Sequence, residues 1–513
     1  MTYDVNKSNL SVYSNDFNTC KEIPIDIDFS LPDYCPDIQK ILKCKVTPNI
    51  SSRNISGGVL NIEGFAHINL IYIDSEMAKI QCAENSVPFS CNIEIKNQPD
   101  NAVVYTKACV EYINCRAISP RKIDLHGALN MCVNINSKKT LEITKNVLGE
   151  DIEQKTESVT TSKLCGIGQQ QFSISETLEI PESKNPPHCI ISSEAKMLLT
   201  EYKIMPNKVV VKGNALINIL YSDDMASNNT EKVEYEIPVS QIIDVPGVTE
   251  DCTCAITSEI LSCNINIQEK SENSNNLISC EIKATASIAA FENENVDIVS
   301  DVYSTEYKTE QKIENIELLK LENILNEEFT HTDNINISDP KIESIVDLFA
   351  DICSVQTNFA DSNLNFKGKI NLYILANSTE GTPVYAERTL EFNHSKPFDG
   401  NFENIISNAT AIVLSQGYSD PKNDNVNVKI NINLYAPIYS LQKYPMVSAV
   451  SANENQKTDK DPEASLTLYY ATAGENVWDI ARNHCTGADA IKAENNFTEN
   501  TVPEDGMILI PSK

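Results

Sequence analysis

The sequence predicts a mainly β protein with three tandem β-sandwich-like domains, followed by a small βααβ module. Runs of alternating apolar and polar residues, such as residues 426–434, place apolar side chains on one face of a strand. Short strands separated by Asn, Ser, Asp, Gly and Pro clusters favour antiparallel sheets packed as sandwiches. A repeat of about 150 residues indicates three such domains, and helical spacing near the C-terminus sets the last module apart.

Length and charge exclude several classes of protein. At 513 residues the chain is too long for one hydrophobic core, and about 100–200 residues per domain predict three or four units. The net charge of −31 argues against nucleic acid as a partner, because a phosphate backbone needs a basic surface. No window approaches the ~18 continuous apolar residues of a membrane span, and the first eighteen residues lack the apolar core of a signal peptide. We therefore expect a cytoplasmic protein without direct membrane insertion.

The internal repeat is carried by residues at matching positions. Residues 63–72 align with residues 212–221 at one offset of 149. The coinciding pairs are Gly64 and Gly213, Ala66 and Ala215, Ile68 and Ile217, Asn69 and Asn218, and Tyr72 and Tyr221. A weaker third copy begins at Lys367, which is 155 residues beyond the second. Such a period is too long for a solenoid unit and fits tandem domains.

The repeat and the local composition predict the domain boundaries. They are a polar N-terminal segment at 1–19, β domains at 20–140, 171–312 and 328–448, a flexible linker at 451–465 and the terminal module at 466–513. The linker has almost no apolar residues to bury, which predicts that the module moves independently. Apolar residues at helical spacing predict helices at 342–349 and 311–327.

The terminal module has the order strand, helix, helix, strand, with Asn476 as a plausible N-cap of the first helix. It resembles the LysM family over its full length. The matching residues are Tyr469, Gly474, Val477, Trp478, Ile480, Ala481, Ala490, Ile491, Asn495, Gly506, Leu509, Ile510 and Pro511. The family folds as βααβ and usually binds N-acetylglucosamine glycans in a shallow groove.

That resemblance implies both a binding groove and a core. The groove, which would hold a protein partner or a glycan, would be formed by Gly474, Glu475, Asn476, Asn495 and Asn496. The core of the module would be formed by Tyr469, Val477, Trp478, Ile480, Ile491, Leu509 and Ile510. Trp478 is the only tryptophan of the chain, and a large ring at helical spacing is usually buried.

A second resemblance lies near the N-terminus, in residues 23–42. Ile23-Pro24 is followed by Leu31-Pro32-Asp33 and by Pro36-Asp37-Ile38, and the segment ends with Ile41-Leu42. This pattern is similar to the start of the SPOCS domain. SPOCS repeats followed by a LysM module resemble the spore coat morphogenetic family of clostridia. The resemblance implies a protein at the forespore surface in the mother-cell cytoplasm that recruits coat layers through the coat basement ATPase SpoIVA and contacts other coat proteins.

The sequence offers no recognisable catalytic or cofactor site. Four nearby carboxylates, Asp26, Asp28, Asp33 and Asp37, suit a solvated strand face and turn caps better than an acid/base pair. The six histidines are scattered, and no Cys-x-x-Cys pair with neighbouring His predicts a metal site. In a reducing cytosol the sixteen cysteines would behave as small buried hydrophobes, with oxidative cross-linking as a minor alternative.

Two hypotheses of function remain from the sequence. In the first, the protein is a non-enzymatic spore coat scaffold whose terminal module docks a protein partner or a glycan. In the second, it is a peptidoglycan- or N-acetylglucosamine-binding adaptor, or is associated with a wall hydrolase, and uses the module for targeting. The second hypothesis requires an export route, and a hydrolase also requires a catalytic domain; the sequence shows neither.

Overall fold

The computed structural model describes residues 1–76, 79–95, 102–223, 229–268, 277–337, 341–399, 404–419, 425–458 and 465–511. The prediction of a mainly β protein is confirmed, since these residues form twenty-one strands and two short helices. Neither helix in the described ranges has the length and apolarity needed to cross a membrane.

The strand pairing repeats three times along the chain. Each repeat unit contains a meander sheet of three consecutive strands, and a long-strand sheet in which the last strand pairs with the first strand and with the one before it. The first unit consists of β1 (Asp4–Ser30), β2 (Ile38–Ser56), β3 (Val59–Asp74), β4 (Ile80–Glu94), β5 (Val103–Ser119) and β6 (Lys122–Leu148). The second unit consists of β7 (Ile152–Glu179), β8 (Cys189–Met205), β9 (Lys208–Ser222), β10 (Thr230–Asp244), β11 (Thr253–Ile267) and β12 (Leu277–Ser304).

The third unit differs only in its fifth strand, which is split in two. It consists of β13 (Tyr307–Asn336), β14 (Ile342–Ala360), β15 (Asn363–Ser378), β16 (Pro383–Pro397), β17 (Ile405–Ser407), β18 (Thr410–Tyr418) and β19 (Asn425–Lys457). We call these three repeat units together the trunk. The terminal module consists of β20 (Leu466–Ala471), α1 (Val477–Asn483), α2 (Ala488–Asn495) and β21 (Gly506–Pro511).

The repeated glycine and tyrosine have a structural reason. Gly64, Gly213 and Gly368 lie at the middle of β3, β9 and β15, where a Cβ would come within 2.3 Å of Asn49 O, 2.0 Å of Leu198 O and 2.9 Å of Ser354 O. The neighbouring strand therefore leaves room only for glycine. Tyr72 and Tyr221 are buried and donate hydrogen bonds to Pro36 O (3.0 Å) and Asn185 O (2.9 Å), which ties each meander sheet to the loop before it.

The two sheets of each unit enclose an apolar core. In the first unit, Ile25 and Leu125 of the long-strand sheet share one cluster with Leu60 and Ile68 of the meander sheet. Equivalent clusters occupy the second and third units. The period-two alternation of the sequence produces this arrangement, because successive side chains of a strand point to opposite faces.

The three units also share apolar cores with one another. Leu10 and Ile143 of the first unit, Ile298 of the second, and Leu318 and Met446 of the third form one buried cluster. A second shared cluster joins Val147, Val302 and Val450 with their neighbours. The long-strand sheets therefore pack against each other, and the units are more closely joined than domains connected by linkers.

The structure places the unit boundaries differently from the sequence prediction. Connections between units fall at residues 149–151 and 305–306, so β6, β7, β13 and β19 run through the limits predicted at 140, 171, 312, 328 and 448. The segment 1–19 is not a separate polar segment, because it forms most of β1 and buries Leu10 opposite Leu141. Its polar residues occupy the exposed face of a half-buried strand.

The predicted linker and its independence are corrected in a similar way. Residues 451–457 are the end of β19, where Lys457 pairs with Tyr307 and the amide of Ala452 donates to Met1 O at 2.9 Å. Residues 459–464 of the predicted linker lie outside the described ranges. The terminal module packs against the trunk, and Tyr303 of β12 belongs to the apolar core of the module.

The two predicted helices in the trunk are wrong. Residues 342–349 lie in β14 and residues 311–327 lie in β13. β14 has bulges between Ile342 and Ser344 and between Ile345 and Asp347. Each bulge adds one residue and inverts the alternation, so buried positions follow one another at a spacing that imitates a helix.

The structure has one disulfide within the first unit and a second disulfide between the first and second units. Cys20 of β1 is bonded to Cys132 of β6, and Cys82 of β4 is bonded to Cys189 of β8. These four cysteines follow the minor alternative of oxidative cross-linking rather than the expectation of buried thiols. Seven further cysteines are buried thiols, namely Cys35, Cys44, Cys91, Cys165, Cys252, Cys254 and Cys280.

Candidate partner-binding site

The terminal module has its strands and helices where the sequence predicts them. β20 and β21 pair antiparallel, with Leu468 opposite Leu509 and Tyr470 opposite Met507. Asn476 caps α1, since its side-chain oxygen accepts the Trp478 amide at 2.9 Å. Asn496 ends α2 in the left-handed conformation with φ of 57°, which asparagine tolerates well.

Most of the predicted module core is buried. Val477, Trp478, Ile480, Ile491 and Ile510 belong to one apolar cluster, and Tyr469 packs half-buried against it. The prediction that Leu509 is a core residue is corrected, because Leu509 is absent from this cluster and is only half-buried. It lies between Ile508 and Ile510, which both point inward, so the alternation of the strand turns Leu509 to the opposite face.

The predicted groove residues are held mainly by bonds within the module. The turn that contains Gly474 pairs with the loop after α2: Gly474 N donates to Val502 O at 2.8 Å, Val477 N donates to Asn500 O at 2.9 Å, and Val502 N donates to Glu475 O at 2.9 Å. Asn495 donates to Ile491 O (2.8 Å) and Leu509 O (2.6 Å) and accepts the Leu509 amide at 2.7 Å. Its amide group therefore fixes α2 to β21.

Among the groove residues, the side chains of Glu475 and Asn496 contribute least to holding the module together. Glu475 accepts hydrogen bonds from the Thr472 hydroxyl at 2.7 Å and the Tyr469 hydroxyl at 3.2 Å. The bond from Thr472 lowers the pKa of the Glu475 carboxyl, so this group is anionic at neutral pH. The Asn496 side chain is exposed. The structure thus places the five residues in the turn before α1 and at the end of α2, where Asn495 is bonded within the module and Asn496 is exposed.

The β20–β21 sheet has one side that carries large apolar side chains exposed to solvent. Leu466, Leu468, Tyr470 and Met507 are 45%, 63%, 62% and 58% exposed. By strand alternation and register they share the outer side of the β20–β21 sheet with half-buried Leu509. We call these five residues the outer sheet face. Large apolar side chains grouped in the open are typical of a protein-binding surface.

A third surface of the module contacts the trunk. The Trp478 indole donates to Asp301 Oδ2 at 2.7 Å, and Arg482 Nη1 lies 2.8 Å from the same oxygen. The Tyr303 hydroxyl donates to Thr486 O at 2.7 Å, and its ring meets the Trp478 ring edge-on at 4.9 Å. Sequence reasoning missed Asp301 and Tyr303, since nothing in their local pattern separates them from other strand residues.

Three of the four carboxylates singled out near the N-terminus form ion pairs with basic residues. Asp26 Oδ1 lies 2.7 Å from His126 Nδ1, Lys122 Nζ lies 3.2 Å from Asp28, and Arg121 donates to Asp37 at 2.9 Å. These pairs join β1 and the loop after it to β6 or its preceding turn. Among the described residues, no three His, Cys, Asp or Glu side chains converge in a way that would hold a metal ion.

Comparison with protein-family models identifies two segments of the chain. Residues 37–118 and 188–268 both match the family described as "SipL, SPOCS domain". Each match spans the meander sheet and the fifth strand of one unit, β2–β5 in the first and β8–β11 in the second. The long strands β1, β6, β7 and β12 lie outside the matched segments. Most of the motif that suggested the SPOCS resemblance, residues 23–36, precedes the first match. Searches of curated proteins and of solved structures gave no match.

Proposed function

We propose that this chain, which is SipL-like and sporulation-related by its two SPOCS domains, is a non-enzymatic morphogenetic scaffold of the spore coat. In this proposal it works in the mother-cell cytoplasm at the forespore surface and localises coat layers through protein–protein contacts. The terminal module, which resembles LysM, docks the coat basement ATPase SpoIVA, and the trunk presents surfaces to other coat proteins.

The outer sheet face is the observation that carries this proposal. Its exposed leucines, tyrosine and methionine suit an apolar protein surface, which association would bury at a gain of about 25 cal/mol per Å² of apolar area. A saccharide would need free polar groups beside an aromatic surface. In the predicted groove, the side-chain oxygen of Asn476 accepts the Trp478 amide, and the side-chain NH2 of Asn495 donates to Leu509 O. A protein partner is therefore better supported than N-acetylglucosamine glycan.

The charge of the chain supports a scaffold that is held by specific contacts. With a net charge of −31, copies repel each other and also repel nucleic acid and anionic lipid surfaces. Localisation then depends on a short-range contact strong enough to act against this repulsion. Apolar burial at the outer sheet face meets that requirement, because it is insensitive to the sign of the charges around it.

Binding of purified SpoIVA to the full chain tests the proposal. The double substitution Leu468→Asp/Tyr470→Ser should weaken binding at least about tenfold, since anchors at the centre of an interface contribute ~1–2 kcal/mol or more each. Tyr112→Ser/Ile118→Asp is the matched control: these trunk residues are 51% and 55% exposed, and their substitution should leave binding unchanged.

A groove double variant, Glu475→Gln/Asn496→Gly, separates the two possible surfaces of the module. We expect it to bind SpoIVA as the unsubstituted chain does. Loss of binding in this variant together with retention in Leu468→Asp/Tyr470→Ser would reject the outer sheet face. Sedimentation with purified peptidoglycan, reversed by chitin oligomers, would favour the glycan adaptor instead.

A further inference from the structure

A cleft of about 880 Å³ lies between the second and third units of the trunk. One wall is formed by β8, the start of β11 and part of β12, and the other by β13, β18 and β19. Six consecutive residues of β8, Met197 to Tyr202, line it, so the cleft follows an extended strand for about 20 Å. It is separate from the terminal module and from the surface proposed above.

The lining of this cleft is acidic and aromatic. Its charged side chains are Glu201, Asp251, Glu292 and Glu322, and no Lys, Arg or His is among the residues described as lining it. Glu322 already has a cation, since Lys320 Nζ lies 2.7 Å away. Glu201 and Asp251 form no ion pair within the described part of the chain, and the aromatic residues Tyr202, Phe291 and Tyr435 line the same cleft.

The boundary between the first and second units shows what occupies the corresponding place there. Arg53 of β2 pairs with Ile62, as Tyr202 of β8 pairs with Val211, 149 residues later. The Arg53 side chain is only 10% exposed, and it donates to Val104 O and Thr106 Oγ1, both at 3.0 Å, and to Glu259 at 3.3 Å. One internal cation therefore fills the first boundary.

Within the described ranges, no Lys, Arg or His lines the equivalent place in the second boundary. Tyr202, which is 43% exposed, takes the position of Arg53. Ile412 of β18 takes the position of Glu259. Each of these two residues lies one residue before the bulge of its strand. Glu259 pairs with Thr285 of β12, and Ile412 pairs with Asn433 of β19, which is the equivalent strand. The repeat thus leaves open between the second and third units a place that an arginine fills between the first and second.

The edge of a strand is also exposed to this cleft. Ile256 N of β11 donates to the Tyr435 hydroxyl at 2.8 Å, and the Cys254 amide faces the Tyr202 hydroxyl at 3.5 Å. Single hydroxyls rather than another strand therefore cover these amides. An edge covered in this way accommodates the backbone of an extended peptide, which supplies carbonyl groups at the same spacing.

We propose that the cleft between the second and third units binds an extended, lysine- or arginine-bearing segment of a partner protein. A basic side chain of that segment occupies the place that the Arg53 guanidinium takes at the first boundary, and the neighbouring carboxylates balance its charge. The Tyr202 ring, which is 43% exposed, provides a face for its alkyl stem and its cation. This inference goes beyond the proposed docking of SpoIVA by the module and does not depend on it.

Fluorescence anisotropy with the full chain and a labelled hexapeptide, Lys-Ser-Lys-Ser-Lys-Ser, tests the inference. We expect saturable binding that weakens with added salt, because exposed charges are screened. Glu201→Gln/Glu292→Gln should raise the Kd about tenfold, which corresponds to two ion pairs near the upper end for partly exposed sites. Tyr202→Arg should abolish binding, because the new guanidinium would occupy the position that the basic side chain of the peptide is expected to take.

The controls distinguish a site from general attraction to an acidic protein. Glu236→Gln/Glu391→Gln removes the same charge from exposed positions outside the cleft and should leave the Kd unchanged. Equal weakening by both double variants, or unaltered binding by Tyr202→Arg with a retained circular dichroism spectrum, would overturn the inference. Spermine binding as tightly as the hexapeptide would also overturn it, because a free polyamine has no backbone for the strand edge.

Discussion

The Trp478 indole donates a hydrogen bond of 2.7 Å to Asp301, which lies 177 residues earlier in the chain. Arg482 binds the same carboxylate, whose side chain is only 16% exposed. Trp478 therefore has two roles: its ring fills the core of the terminal module, and its nitrogen anchors the module to the second unit. A module that appears separate in sequence is thereby fixed to the trunk.

Asp301→Ala should release the module without unfolding it. A hydrogen bond to a charged group contributes about 1.5–3 kcal/mol, and this substitution also leaves Arg482 without its partner. Trp478 is the only tryptophan, so its emission reports docking directly. We expect a red shift and faster acrylamide quenching in Asp301→Ala, and neither change in Asp297→Ala, an exposed aspartate on the same strand. An unchanged emission spectrum would show that the anchor is dispensable.

The module and the repeat were predictable because their signals are local. Val477, Ile480 and Ile491 report their burial through helical spacing, and Gly64 and Gly213 report a close approach between strands. For each of these residues, the contact that explains its identity lies within its own unit or module. The family matches at 37–118 and 188–268 coincide with the meander sheets, where the repeated glycines lie.

The sequence prediction failed where the cause lies in a distant segment. Leu10 appears in a polar stretch because most of β1 faces solvent, and only pairing with Leu141 shows that it is buried. The bulge between Ile345 and Asp347 gives a strand the spacing of a helix. The groove stays a prediction, and within it Asn495 also has a structural role, because its side-chain amide group binds the Leu509 backbone.

Arg53→Ala should destabilise the trunk, and the loss should depend on pH. It leaves the Glu259 carboxylate without its cation, at a cost of about 3–5 kcal/mol if the pair were fully buried and less at the observed 21% exposure of Glu259. Burial raises the pKa of Glu259 above its usual value even with Arg53 present. Removing the cation raises that pKa further. Protonation of the Glu259 carboxyl should therefore reduce the stability lost in the variant.

The sign of this effect follows from linkage. A carboxyl whose pKa is raised by folding stabilises the fold fully below its unfolded pKa, about 4.3, and this contribution is lost as the pH rises through the folded value. Thermal unfolding of Arg53→Ala should therefore approach that of the unsubstituted chain as the pH is lowered from 7 toward the unfolded pKa of about 4.3. Glu259→Gln in the Arg53→Ala background should restore part of the loss at pH 7. A deficit independent of pH would mean that packing, not charge, dominates at this position.

His126 should titrate above the usual histidine value of 6.5. Its hydrogen bond with Asp26, together with the nearby charge of Asp124, raises its pKa. The protonated ring therefore stabilises the β1–β6 pair below pH 6.5, and the contribution disappears as the pH passes the raised value. NMR titration of the ring protons measures this directly. Asp26→Asn should bring the pKa back toward 6.5, whereas Asp33→Asn should not, and identical titration curves for the two variants would reject the assignment.

The Cys82–Cys189 disulfide should stabilise the contact between the first two units. It joins β4 to β8 across 107 residues and thereby restricts the unfolded chain, a constraint of about 4–5 kcal/mol in the chain-entropy description. Cys82→Ser/Cys189→Ser should therefore unfold at a lower temperature under non-reducing conditions and match the unsubstituted chain once both are reduced. Cys20→Ser/Cys132→Ser is the matched control, because that bond closes a similar loop of 112 residues inside one sheet. Only the Cys82/Cys189 variant should gain hydrogen exchange at the β4–β8 contact. Peptide mapping of the unreduced protein that recovers both cysteines as thiols would show that the cross-link is not formed, and the first two units would then be held together by packing and by the Arg53–Glu259 pair.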